Sequence, residues 1–178
     1  LTICLNLSTI MGQNLGFIKE LEVASKAGFR SVEIWVPTLE KYLNNGGTIA
    51  EAKKVINDLG LTIQNTIGFA PWIVDDPEVR AKGLEQLKKE MEWVRELGCK
   101  RIAAPPMGAQ NNPNINLKAA GERYGKILEV GKQMEVIPQL EMWGHSKCLN
   151  RVADTLFIAA EAGKEDAKLL LDVYHIYR

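Results

Sequence analysis

The sequence predicts a parallel α/β fold of the TIM type, a (β/α)8 barrel of which about six strands lie within residues 1–178, and three observations lead there. Short β-rich runs recur along the chain. Segments with helical apolar spacing lie between them, and the connections are short before each strand and long and polar after it. The runs are TICLN, SVEIW, LTIQNT, RIAAPP, PQLEMW and KLLLDV, beginning at residues 2, 31, 61, 101, 138 and 168. Their spacing of roughly 30 to 40 residues is that of a strand plus a crossover helix.

Between the first two runs, Phe17, Leu21 and Ala24 recur on one helical face; before the fourth, Leu84, Leu87, Met91 and Val94 do the same. Four of the expected helices close on a glycine shortly before the next strand: Gly28 in KAGFR, Gly60 in DLGLT, Gly98 in ELGCK and Gly163 in EAGKE. Glycine there supplies the left-handed residue that ends a helix without steric cost. The alternation therefore gives six βα steps, the sixth stopping after its strand, with right-handed crossovers between parallel strands. VPTLEKYLNNGGT, GFAPWIVDDP and PPMGAQNNPNIN follow strands and read as long polar loops, the expected walls and lids of a ligand site at the strand C-terminal ends. A doubly wound sheet has the same alternation, but no G-x-G-x-x-G follows the first strand, where ICLNLSTIMGQN stands. Residues 1–178 are expected to form a single domain with strands 7 and 8 missing. Further strands on the natural chain are the expected cover for the open edges, and a second copy in a homo-oligomer is the alternative.

Composition narrows the function. At 46% hydrophobic residues the chain can bury a real core, and 22 Lys plus Arg balance 22 Asp plus Glu. No net field draws it to nucleic acid or to an anionic membrane. Apolar runs such as LTICLNL and TLFIAA fall far below the ~20 residues of a membrane helix. Cys4, Cys99 and Cys148 are odd in number and lack C-x-x-C spacing, which favours reduced thiols and a cytoplasmic setting. The first residue is Leu1 rather than Met, so a periplasmic location after removal of a signal is the other expectation.

Glu33 in SVEIW and Glu141 in QLEMW sit late in strands, each followed two residues later by a tryptophan, Trp35 and Trp143. Alternate strand residues share a face, so each carboxylate and its tryptophan point the same way. The plain alternative for Glu33 is a strand-end acid paired with a lysine or arginine. Glu141 sits in an otherwise apolar stretch, where an inward carboxylate needs a cation or donors to offset desolvation, and this favours a ligand role. Asp172 and His175 reach one site only if the chain turns out of the strand after Val173. Carboxylate oxygen plus imidazole nitrogen suits Mn²⁺, Co²⁺ or Zn²⁺, whereas all-oxygen sets suit Mg²⁺ or Ca²⁺. His145 in MWGHSKC is a ligand, a proton carrier or a polar loop residue; nothing at strand or helix spacing pairs with it, which favours the last. Trp72, like Trp35 and Trp143, falls near a strand end where apolar walls line pockets, whereas Trp93 lies mid-helix and reads as core.

The combination of AGFRSVEIW, IPQLEMWG and KLLLDVYH, in this order and spacing, resembles the xylose isomerase-like barrels of the sugar-phosphate isomerase/epimerase group along the whole chain. The resemblance implies that Glu141 and Asp172 are metal ligands and that His175 contacts substrate; Glu33, Trp35, Trp143 and His145 are the further candidate substrate contacts by their position at or just past strand ends. It implies a divalent ion (Mn, Mg, Co or Zn) and a proton moved by Glu141 through an enediolate of a small sugar or sugar-like polyol. A histidine from strand 7 and a glutamate from strand 8, the usual companions, lie beyond Arg178. The ketose 3-epimerases of the group carry an acid six residues past the strand-5 glutamate, where Lys147 stands here. The DNA-repair endonucleases on this barrel use histidines after strands 3 and 4, which GFAPW and AAPPMG do not supply. The expected activity is therefore a metal-dependent isomerase or epimerase. Dehydration of an inosose or related keto-polyol is the second enzyme reading, and a catalytically inactive sugar-binding barrel is the non-enzymatic one.

Overall fold

The computed structural model describes residues 3–177, so Thr2, with which the first expected strand begins, lies outside the described residues. The chain runs β1 (Leu5–Asn6), α1 (Phe17–Lys26), β2 (Ser31–Trp35), α2 (Val36–Asn44), α3 (Ile49–Asp58), β3 (Thr62–Ile67), α4 (Pro77–Glu96), β4 (Arg101–Ala104), α5 (Leu117–Met134), β5 (Ile137–Glu141), α6 (Val152–Glu161), β6 (Lys168–Leu170) and α7 (Val173–Ile176). All strand pairs are parallel, in two three-stranded sheets ordered β1-β2-β3 and β4-β5-β6. Side chains bridge the seam between them: Thr66 Oγ1 donates to the Arg101 carbonyl at 2.7 Å, and Arg101 Nη1 donates to the Gln64 carbonyl at 3.2 Å. This is the expected TIM-type alternation as a partial barrel. Among the described residues no helix is long and apolar enough to cross a membrane.

The apolar spacing carries the packing. Phe17, Leu21 and Ala24 on α1 and Leu87, Met91 and Val94 on α4 are all buried, with Leu84 partly so. Gly28, Gly60, Gly98 and Gly163 all take positive φ just past a helix, as the sequence predicts. Helix α5 ends differently, on Glu135 at φ 59°.

Four expectations change. VPTLEKYLN is helix α2, not loop: Pro37 fits the first turn of a helix, and Val36 and Leu39 give it a buried face. GFAPWIVDDP is no polar lid, because Ala70, Trp72, Ile73 and Val74 are buried. Trp72 Nε1 donates to the Pro105 carbonyl at 2.9 Å and Arg123 Nη1 to the Ile73 carbonyl at 2.6 Å, so this segment is a plug between elements and Trp72 is core. Trp93 in turn is only half-buried, with Lys89 Nζ 4.7 Å from its ring centroid. Finally, β6 stops at Leu170 and the chain leaves the strand before Asp172, earlier than expected, because Asp172 caps a helical turn by accepting from Tyr174 N at 2.9 Å.

Glu90 on α4 is 5% exposed; its Oε1 accepts from Gln86 Nε2 at 2.7 Å and its Oε2 is buried without a hydrogen-bond partner. Burial pushes its carboxyl up to about 7, and the charge of Glu40 adds to this, while Gln86 and Lys89 pull the other way. The folded state thus holds the proton more tightly than the unfolded one, whose ordinary value is 4.5. Stability from this group falls as pH rises from about 4.5 to 7 and is flat above. Glu90→Gln is therefore expected to stabilise the protein at pH 8 by on the order of 3 kcal/mol and to flatten that slope. Urea unfolding at pH 5 and pH 8 checks this; an equal effect of the substitution at both would refute it.

Candidate active site

The C-terminal ends of β2, β3, β5 and β6, with the segment after β1, surround a cavity of about 750 Å³. Strand pleating decides which side chains enter it. Glu33 and Trp35 alternate on β2 and both line the cavity, as do Glu141 and Trp143 at the end of β5, so each expected carboxylate–tryptophan pair shares a face. Asp172 and His175 join them because the helical turn α7, rather than a continued strand, brings residues three apart onto one side. His145, for which the sequence favours a plain loop role, also lines the cavity.

Ligand atoms of Glu141, Asp172 and His175 lie within 4.8 Å of one another. His175 Nε2 is 3.8 Å from Glu141 Oε1, and both residues are buried, at 8% and 4% exposure. Glu141 Oε2 is buried with no hydrogen-bond partner. Burial pushes the Glu141 carboxyl up to about 8; the charges of Asp172 and Glu33 add to this, and the Trp143 side chain opposes it. Two carboxylates and an imidazole meeting around an unsatisfied buried oxygen are a donor set that fits a borderline divalent cation, whose charge would reverse the cost of burying Glu141.

The walls are aromatic. Trp35 lies 5.1 Å from Phe69 between ring centroids, Phe69 lies 6.3 Å from Trp143, and Trp143 stacks on His145 at 5.1 Å. His145 and His175 stand 5.3 Å apart. The loop that carries Trp143 and His145 is fixed at several points. It closes on itself where Trp143 N donates to the Leu149 carbonyl at 3.0 Å, with Leu149 at φ 49°. It is tied to the loop after β4 where Lys147 N donates to the Gln110 carbonyl at 2.7 Å and Cys148 Sγ to the Ala109 carbonyl at 3.1 Å.

Sequence reasoning missed Asn6, Ser8, Thr9, Ile67, Phe69, Leu170 and Tyr174 as lining residues, and Asn65 behind them. Asn6 and Asn65 carried a usable signal, being amides inside β-rich runs that need partners if they point inward. Phe69 carried none, since GFAPW reads as an irregular loop.

The sequence is similar to the xylose isomerase-like TIM barrel family over residues 21–178. No curated protein sequence matches. Among solved structures, the IolI protein with a bound zinc atom superimposes with a TM-score of 0.85 at 18% identity, over 99% of this chain and 64% of that one. L-ribulose 3-epimerase superimposes at 0.76 and 23% identity, over 99% and 62%. The probable 3-DHS dehydratase AsbF of Bacillus anthracis does so at 0.79 and 17%, over 99% and 65%. These likenesses establish the fold, and the chain spans just under two thirds of the length of each of the three structures.

Proposed function

The chain belongs to the xylose isomerase-like TIM barrel family, and on that premise we propose that it acts as a metal-dependent isomerase or epimerase of a small sugar or sugar-like polyol, moving a proton beside a carbonyl through an enediolate. One observation carries the reading: Glu141, Asp172 and His175 converge at the base of an aromatic-walled cavity, with a buried Glu141 oxygen left unsatisfied. Glu141 and Asp172 hold the ion (Mn, Mg, Co or Zn), and His175 meets ligand oxygen beside it. When bound, such an ion polarises a carbonyl and makes the neighbouring C–H acidic enough to lose its proton at neutral pH. Glu141 accepts that proton and returns it from its buried position at the end of β5. Trp35, Phe69 and Trp143 exclude water and offer flat apolar faces to the C–H side of a sugar, while His145 closes the rim. In the whole protein we place two further βα units between β1 and β6, each of which pairs along one edge among the described residues.

A second reading, dehydration of a keto-polyol, uses the same first proton transfer, and the likeness to a probable dehydratase favours keeping it. Both are tested by incubating the full-length protein, with Mn²⁺ in D₂O, with a panel of ketopentoses, ketohexoses and inososes. The expected result by NMR is deuterium entering at a carbon next to the carbonyl of at least one compound, abolished by chelator. Loss of water from that compound would favour the dehydratase. No exchange with any compound, together with equal thermal stabilisation by sugars in chelator, would leave only an inactive sugar-binding barrel.

A further inference from the structure

The loop between β5 and α6, residues 142–151, carries two of the rings that wall the cavity, Trp143 and His145. His145 is exposed and meets the site through ring contacts with Trp143 and His175, so its place follows from the backbone beneath it. That backbone is a tight turn: Ser146 N donates to the Trp143 carbonyl at 2.9 Å, with Gly144 and His145 at the two central positions. Ser146, which closes the turn, is 5% exposed and is not among the residues that line the cavity. Its Oγ donates to the Gln110 carbonyl at 3.1 Å and accepts from Cys148 N at 3.1 Å. The direction of the first bond is forced, because a carbonyl has no proton to give. Cys148, also buried, donates its thiol proton to the Ala109 carbonyl at 3.1 Å, and Lys147 N adds a second bond to the Gln110 carbonyl at 2.7 Å.

The carbonyls that receive these bonds are themselves held in place. Ala109 is buried, and its carbonyl also accepts from Asn112 N at 2.8 Å, which closes a turn in the loop after β4. Gly108 before it takes φ 83°, and a Cβ added there would stand 2.7 Å from Val74 Cγ1, so this loop lies directly on the buried plug after β3. The turn that bears Trp143 and His145 is thus fastened at its far end to a packed part of the molecule.

We infer that Ser146 is a positioning residue of the candidate active site: it touches no ligand, and it sets the place of Trp143 and His145 by clipping the turn that bears them to the loop after β4. The inference rests on the site reading above and adds to it a residue from behind the cavity wall. A buried hydroxyl stabilises only through the bonds it makes, and here neither bond completes a helix or a strand; one ties loop to loop and the other orders the loop behind the turn. Rings on an unclipped turn would lose their fixed distance to a bound compound, and a displacement of about 1 Å is enough to weaken binding or reaction.

The test uses the full-length protein and two readouts that need no substrate. The first is alkylation of Cys148 by N-ethylmaleimide, followed by peptide mass spectrometry, with the buried Cys99 as the control for global opening. The second is the NMR signal of the His145 imidazole, assigned with His145→Gln, which stacking on Trp143 shifts upfield. Ser146→Ala is expected to speed Cys148 alkylation about tenfold or more with Cys99 unchanged, and to move the His145 signal towards that of free histidine. It should also raise KM about fivefold or more for the compound found by deuterium exchange, while kcat stays within about threefold. Cys148→Ser keeps a donor for the Ala109 carbonyl and should leave the His145 signal and KM near wild type. Cys148→Ala removes that donor and should shift both, so the result does not depend on a single variant folding. Alkylation of Cys148 and Cys99 rising together, a His145 signal unmoved in Ser146→Ala and Cys148→Ala, or KM unchanged where that signal moves, would overturn the inference. The two readings fail separately. If no compound exchanges deuterium the proposed activity falls, and alkylation and the His145 signal still decide whether Ser146 positions the wall.

Discussion

Glu141→Gln in the full-length protein is expected to lower turnover by about 10³-fold or more while leaving cooperative unfolding intact. The magnitude follows from two losses at one position. Removing a positioned general base alone typically costs about 10²–10⁴ in rate, and the same substitution would remove a carboxylate from the proposed ion's donor set, exchanging a charged ligand for a neutral amide. The fold should survive because glutamine fills nearly the same volume at a position 4% exposed, and because the wild-type carboxylate, raised to about 8 by burial, is itself an electrostatic burden on the metal-free protein. The metal-free variant should therefore be as stable as wild type at pH 8 or more so, and lose activity without losing structure. Steady-state kinetics on the compound identified by deuterium exchange, paired with urea unfolding in chelator, checks both halves. Retention of more than about a tenth of the activity would remove Glu141 from proton transfer. Loss of activity together with loss of cooperative unfolding would make its role structural.

How far this site was legible in the sequence depends on what kind of signal each residue gives. Alternation along one strand is local, so Glu33 with Trp35 and Glu141 with Trp143 are readable as same-face pairs without knowing the fold. The Asn6–Glu33–Asn65 row, in which both amides donate to the Glu33 carboxylate, is not local. It depends on the register of three parallel strands, including an irregularity between Val32 and Glu33 that shifts the β2–β3 pairing by one residue, and no pattern within a single strand encodes that. Asp172 and His175 were legible as a pair needing a turn, and the capping chemistry of Asp172 explains why the turn comes where it does. Helix α2 was misread for a physical reason as well. Pro37 and the glycine pair at 46 and 47 are strong loop signals, yet proline in a first turn is compatible with helix, and only Gly46, at φ 92°, ends it. Trp72 shows the limit of position-based reasoning, since lying just past a strand end does not say whether a ring turns towards the cavity or into the packing beneath α5.

Adding Mn²⁺ at about 100 times its dissociation constant is expected to stabilise the full-length protein by about 2.7 kcal/mol, which for a chain of this size or somewhat larger raises Tm by roughly 5–10 °C. The structural basis is that the two proposed ligands come from separate pieces: Glu141 ends β5, and Asp172 follows β6 at the head of α7, which carries His175. Helix α7 is a single turn of four residues of which only His175 is buried, with Val173, Tyr174 and Ile176 exposed, so a short turn carries the site's imidazole. An ion held by Glu141 and Asp172 would tie the start of that turn to β5 and steady His175 with it. The gain should therefore be local as well as global. Amide protons in residues 173–177 should exchange more slowly with metal than in chelator, by a larger factor than those of β2 or α1, which do not touch the ion. Asp172→Asn is expected to remove most of the metal-dependent rise in Tm and the protection of α7 together. It also keeps a side-chain oxygen that can accept from Tyr174 N, so the cap is preserved and the test isolates the ligand role. If Mn²⁺ raises Tm equally in Asp172→Asn, or slows exchange everywhere except in α7, the ion binds elsewhere and Glu141 and Asp172 do not form its site.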